Sequence, residues 1–267
     1  MGPSRSRLVR MQEHSPNCCY CGGAHRTESI DHAPPIALFS DRHRPKGLEF
    51  PACNHCHGMF SAYDDFFTIL AEVFREGIRP ENRVVPRNRL LSVKQRFPEA
   101  FASIAAQSET VTLKDGDTEF EAVRFPIHED VSFIVNFFTA RLATALYFEI
   151  ANIPLPIGSR IVSFWQPNMQ VFEKGLPEPI LEMLTAYGTL SQGKFQVPDQ
   201  FEYGYHLDNE TGLAVVQYHF HGSFGSSAFV QVGIQDELLD FDKGDLFAIT
   251  GEGISPLKRV WPKETRS

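Results

Sequence analysis

The stretch CCYCGGAHRTESIDHAPP, residues 18–35, decides how the rest of the chain is read, because it sets three cysteines, a glycine pair and an Asp-His pair within eighteen positions. Cys18 and Cys21 form one C-x-x-C pair, and Cys53 and Cys56 form a second, with 31 residues between the pairs. A two-residue spacer brings two sulfurs to one side of a tight turn, and Gly22-Gly23 permits the backbone that such a turn needs. Two pairs together complete a tetrahedral shell of four thiolates for Zn²⁺ with no open position, so the expected ion holds the fold and does no chemistry. Cys19, inside the first knuckle, reads as a small packing residue.

All five cysteines fall in the first quarter of the 267-residue chain. Disulfide frameworks spread across the domains they staple, whereas clustered C-x-x-C pairs point to a metal and to a reducing, cytoplasmic compartment. The opening segment MGPSRSRLVRM has no hydrophobic region of the secretory kind and is expected to be a disordered lead-in. The most apolar stretch, Val131 to Ile153, is interrupted by Asn136, Arg141 and Glu149, the pattern of a core helix rather than a membrane span.

Net charge is −8, which taken over the whole chain argues against a nucleic-acid binder. The charge is divided unevenly. Residues 1–100 carry 14 Lys+Arg against 11 Asp+Glu, and residues 101–267 carry 11 against 22, so the cysteines belong to the basic part.

Short strands are expected around Thr27–His32 and Leu48–Pro51. After Cys53, the residues Phe60, Tyr63, Phe67, Leu70 and Phe74 recur at helical steps, giving a helix from about Asn54 to Arg75 that Gly77 and Pro80 end. A basic helical segment follows at 79–96, interrupted at Pro98. Alternation predicts a strand pair over Val111–Phe125 with its turn at Asp115-Gly116, then a long helix over Glu129–Ala151 and another helix over Pro177–Tyr187. Three strands are expected within 201–234, the first two joined by a turn at Asp208–Gly212.

The zinc knuckles enclose more than a plain staple needs. Asp31-His32 ends the first strand, and His57 falls in the first turn of the following helix, so a zinc clamping strand to helix brings the three together. The order C-x-x-C-G, TESIDHAPP, PACNHCH and SAYDD resembles the HNH nuclease family with its ββα-metal core, over roughly residues 15–76. The resemblance implies an N-terminal zinc-stabilised ββα-metal (HNH-like) module, and the helical and alternating patterns beyond it, to which the resemblance does not extend, add an α+β domain with a long core helix and an antiparallel sheet, so the chain is expected to be α+β. The divisions expected are 1–78 for the module, 79–108 for a basic helical bridge and 109–267 for a domain of unassigned role.

What the resemblance implies for activity is a metal-dependent endonuclease that hydrolyses DNA phosphodiesters. His32 would be the general base, since a neutral imidazole titrates near working pH. Asp31 and His57 would hold one divalent ion, Mg²⁺ or Mn²⁺, although a His ligand also permits Zn²⁺, Co²⁺ or Ni²⁺, and its remaining positions would take water and a phosphate oxygen. The family pattern carries an Asn before the Leu of the second strand, where it pins the loop bearing the general base; here Gly47 precedes Leu48. Arg42, Arg44 and Lys46 in the inter-strand loop, with Arg83 and Arg87 beyond the helix, are the expected phosphate contacts.

Two readings compete with the nuclease: a non-catalytic zinc-stabilised module that binds nucleic acid or protein, and a zinc scaffold beside an unrelated activity in the acidic domain. That acidic domain is an expected surface for a homodimer or a protein partner, and no membrane association is expected. His219 and His221 alternate on one strand and read as outward polar residues.

Overall fold

The 23-residue helix α5 (Glu129–Ala151) organises the molecule, because every side chain from Phe133 to Phe148 is buried. A helix that is apolar all round must be covered all round. A seven-stranded antiparallel sheet covers one side, and the cysteine-bearing segment with its following helix covers the other. By length and composition α5 is apolar enough to cross a membrane, but 89% of its most apolar window is buried inside the fold. The computed structural model describes residues 3–39, 42–73, 87–106, 109–115, 118–124, 129–166, 186–221, 224–235 and 244–260.

The chain opens with helix α1 (Pro3–His14), where a disordered lead-in is expected. Tertiary contacts account for the difference. Arg7 pairs with Glu49, and the Gln12 amide donates to the Thr27 carbonyl at 2.8 Å. Strands β1 (Ser29–His32) and β2 (Glu49–Ala52) pair antiparallel, with Asp31 opposite Phe50 and His32 opposite Glu49, and a 3-10 turn (Ile36–Leu38) lies in the loop between them. Helix α2 (Asn54–Val73) follows, then α3 (Arg87–Arg96) and α4 (Pro98–Ala106). The hairpin β3 (Glu109–Asp115) and β4 (Thr118–Arg124) leads into α5.

The large sheet has the order β13 (Gly253–Val260), β12 (Gly244–Thr250), β5 (Arg160–Gln166), β11 (Phe224–Gln231), β10 (Leu213–Phe220), β9 (Phe201–Asp208) and β6 (Ala186–Thr189), and a small ladder of β7 (Ser191–Gln192) with β8 (Phe195–Gln196) stands apart from it. The three strands expected within 201–234 are β9, β10 and β11. Ala186 and Tyr187, expected at the end of a helix, belong to β6, and the remainder of that expected helix, 177–185, lies outside the described residues.

Aromatic packing joins the layers. Phe67 of α2 stacks on Phe138 of α5 with centroids 3.7 Å apart, Tyr63 meets Phe137 at 4.4 Å, and Phe137 meets Phe247 of β12 at 5.9 Å. Phe97, before α4, packs on Tyr63 and Phe66, and Phe50 of β2 packs on Phe148. One continuous apolar cluster therefore runs from the cysteines through α2 and α5 into the sheet, across the divisions that the sequence suggests near 78 and 108.

Candidate functional site

The four paired cysteines come together as their spacing predicts. The sulfurs of Cys18, Cys21, Cys53 and Cys56 all lie within 4.8 Å of one another, every one is buried, and the set could hold a metal such as zinc. The local backbone explains the convergence. Gly22 and Gly23 have φ of +62° and +80°, and the Gly23 and Ala24 amides donate back to the Cys18 and Cys21 carbonyls. The Tyr20 and Cys56 amides each point at a sulfur, Cys18 Sγ and Cys53 Sγ, at 3.4 Å.

Crowding couples the thiols. The contact with Cys18, and then that with Cys56, favours the Cys21 thiolate; the contact with Cys21 pushes Cys18 up to about 12, and Cys18 likewise raises Cys56. A divalent cation relieves this opposition by letting all four ionise together, which is the physical fit between this donor set and Zn²⁺. Cys19 is buried beside the set but is not one of its members, as a packing residue should be.

Asp31 and His32 diverge because successive side chains of a strand point to opposite faces. Asp31 turns inward and is 2% exposed. Arg141, from the middle of α5, donates from Nη2 to Oδ1 at 2.5 Å and from Nε to Oδ2 at 3.1 Å. The Tyr20 hydroxyl donates to the same Oδ2. The other guanidinium nitrogen of Arg141 pairs with Asp64 of α2, and its carbon sits 4.5 Å from the centre of the Phe60 ring.

One guanidinium thus serves two carboxylates. Burial works to raise Asp31, but Arg141 and Tyr20 outweigh it and hold the acid below its ordinary range. Burial pushes Asp64 up to about 7 against the pull of Arg141, and the charge on Asp31 adds to the rise. Burial also works to lower Arg141, and the two acids overcome it, so the cation is held.

The expected sharing of one divalent ion by Asp31 and His57 therefore has a competitor, since both Asp31 oxygens already meet Arg141. His57 is on the first turn of α2 and its Nδ1 shares a 2.9 Å hydrogen bond with Ser29 Oγ. Among the described residues, the four cysteines are the one set that brings three or more His, Cys, Asp or Glu ligand atoms together.

His32 turns the other way, toward α1. Its side chain is 28% exposed and opens on a groove of about 480 Å³ lined also by Arg5, Arg7, Glu28 and Ser29. Glu49, across the hairpin, lies 3.7 Å from its Nε2. Burial, and then the charge of Arg44, hold the imidazole below its ordinary pKa against the opposing pull of Glu49 and Asp31, which keeps the ring neutral at pH 7.

The expected phosphate contacts separate. Arg42, Lys46 and Arg87 are exposed, and Arg83 lies outside the described residues. Arg44 is half-buried, and its side chain donates to three backbone carbonyls. His219 is half-buried and its ring bonds the Gln217 amide at 3.0 Å.

Sequence reasoning misses Arg141, Asp64 and Tyr20. The available signal is a charged residue in the middle of an all-round apolar helix, because a buried arginine demands an acid, and the adjacent Asp64-Asp65 supplies one. No protein-family model matches the chain, and comparison with curated proteins and with solved structures returns no match.

Proposed function

We propose that this chain is an HNH-like, zinc-stapled module that binds nucleic acid through the outer face of its hairpin and does not use a divalent ion at Asp31. The observation that carries this reading is the Arg141 guanidinium seated on Asp31 and Asp64. A divalent ion entering there meets a buried positive charge within a few ångströms, and two unit charges 4 Å apart already repel by about 4 kcal/mol at an effective dielectric of 20. The carboxylate that would attract the ion is also already satisfied. Mg²⁺ and Mn²⁺ have no role in this reading, and Zn²⁺ is the single ion, held by thiols in a reducing cytoplasm.

The surface around His32 supports nucleic acid as the partner. Arg5 and Arg7 line its groove, and Arg10, Arg26, Arg42 and Lys46 are exposed on the same module. Such residues bind a phosphate backbone with little regard to sequence and with strong dependence on salt. Fluorescence anisotropy with labelled DNA and RNA, in single- and double-stranded form, tests this on the zinc-loaded chain. The expected result is affinity that falls linearly in log salt, with no cleavage when Mg²⁺ or Mn²⁺ is added; absence of any binding would overturn it.

A second reading, the endonuclease, is favoured by one observation: His32 is neutral and opens on the same arginine-lined groove, as a general base requires. Metal-dependent cleavage that His32→Ala abolishes would establish this reading over the first.

A further inference from the structure

The loop that joins the two strands of the zinc hairpin, residues 33–48, starts one residue after His32 and ends one residue before Glu49, the residue opposite it. Each strand is four residues long, and two-stranded ribbons of that size are marginal on their own. The direct backbone bond at the base of the loop, from the Ala33 amide to the Leu48 carbonyl, is 3.3 Å long. Something else must hold His32 in register with Glu49.

Arg44 supplies three bonds there. Its Nε donates to the Pro34 carbonyl at 2.8 Å, just after β1; its Nη2 donates to the Leu48 carbonyl at 3.1 Å, just before β2; and its Nη1 donates to the Pro45 carbonyl at 3.1 Å. The guanidinium carbon also lies 5.8 Å from the centre of the Phe39 ring in the same loop. Burial lowers Arg44 to about 10, so it remains a cation at pH 7. A planar fork spreads its donors over three nitrogens and can reach carbonyls on both sides of a loop at once, whereas a lysine has to bring every acceptor to one nitrogen.

We infer that Arg44 is the positioning residue for His32, closing the loop at both of its ends and doing from position 44 what a side chain at position 47 cannot do in this chain. Gly47 has φ of +111°, a conformation that side-chain-bearing residues rarely adopt, so an asparagine there would be strained even though an added Cβ would meet only Leu190 Cδ2, at an ordinary 3.5 Å. In its functional part the inference rests on the nucleic-acid reading, in which His32 lies at the contact surface.

The test uses the full, zinc-loaded chain with Arg44→Gln and Arg44→Lys, and Arg42→Gln as a control on an exposed neighbour in the same loop. Hydrogen exchange over residues 33–48 reads the anchor directly. Arg44→Gln is expected to speed exchange there by about tenfold or more, since bonds to a charged donor hold the loop by more than the energy of one decade. Arg44→Lys should recover part of the protection, and Arg42→Gln should leave the exchange of the loop unchanged. Exchange in Arg44→Gln equal to that of the natural chain overturns the inference. Should Arg44→Gln fail to retain zinc, the same comparison is made with Arg44→Lys, which keeps the charge and loses the fork.

The second readout separates positioning from direct contact. A residue acting through His32 gives losses of affinity that do not add: Arg44→Gln with His32→Ala binds nucleic acid no more weakly than His32→Ala alone, and the salt slope of Arg44→Gln is unchanged. Full additivity, with a slope reduced by about one, would make Arg44 a phosphate contact and overturn the positioning role. If the natural chain binds no nucleic acid, the functional reading falls while the exchange comparison still decides the anchor.

Discussion

Arg141 and Asp31, 110 residues apart in sequence, form a two-pronged ion pair, with Nη2 at 2.5 Å from one carboxylate oxygen and Nε at 3.1 Å from the other. Both side chains are 2% exposed. A buried pair of this kind is costly to break from one side, because the remaining charge has neither water nor partner. Arg141→Met is therefore expected to destabilise the chain by ~3–5 kcal/mol, read from urea unfolding. Adding Asp31→Asn should return more than half of that loss, because the amide oxygen still accepts from Tyr20. A loss below ~1 kcal/mol in Arg141→Met would mean that the pair behaves as an exposed surface bridge, against its burial.

Asp64 shares the same guanidinium and carries the opposite pH signature to Asp31. Its folded-state pKa, about 7, lies above the ordinary carboxylate value, so between about pH 4 and pH 7 the folded chain holds a proton that the unfolded chain has lost. Its contribution to stability is present at the acid end of that window and disappears as pH rises through 7. Asp31, held below its ordinary range, contributes above about pH 4 and loses its contribution only in stronger acid. Asp64→Asn should therefore flatten the profile: on going from pH 8 to pH 5 the natural chain should gain ~2 kcal/mol relative to the variant. A difference that stays constant across that range would show that Asp64 ionises normally in the folded state.

The staple makes a separate prediction, about stoichiometry. Native mass spectrometry is expected to find one zinc per chain. Cys53→Ser should lose it, and Cys19→Ser should keep it, because Cys19 is packed beside the thiol set without joining it. The backbone of Gly253, the first residue of β13, approaches so closely that an added Cβ would stand 3.1 Å from Cys56 Sγ, so strands far along the chain are built against the knuckle. Loss of zinc from Cys19→Ser would move that residue into the ligand shell.

The parts of this structure legible in the sequence are those set by local spacing. C-x-x-C pairs, the apolar stripe of α2, the ends of α5 and the strands β9 to β11 each follow from residues close together in the chain. What is not legible depends on long-range partners. Helix α1 has little apolar periodicity of its own and is held through Arg7 and Gln12; strands β5, β12 and β13 gain their identity by pairing with one another and by covering α5. The site divides in the same way. Asp31-His32 can be picked out from the sequence, but strand alternation sends one inward to Arg141 and the other outward to the groove, and the choice of Arg141 as partner is made by the packing of α2 on α5.

That packing yields the last prediction. Phe67 lies face to face with Phe138, ring planes 7° apart, at the centre of the contact between α2 and α5. Because the apolar cluster continues from the cysteines into the sheet, the cysteine-bearing segment and the sheet should unfold together. Zinc release to a colorimetric chelator and loss of sheet signal in circular dichroism are expected to share one midpoint. Phe67→Ala removes the α2 ring from the contact and leaves Phe138 facing a cavity, which should cost ~3–5 kcal/mol, the usual range for emptying a buried aromatic site. If the two regions are one cooperative unit, that loss moves both midpoints equally. A variant that releases zinc early while the sheet signal holds would show two units joined by a contact, and would return the boundary near residue 78 to physical significance.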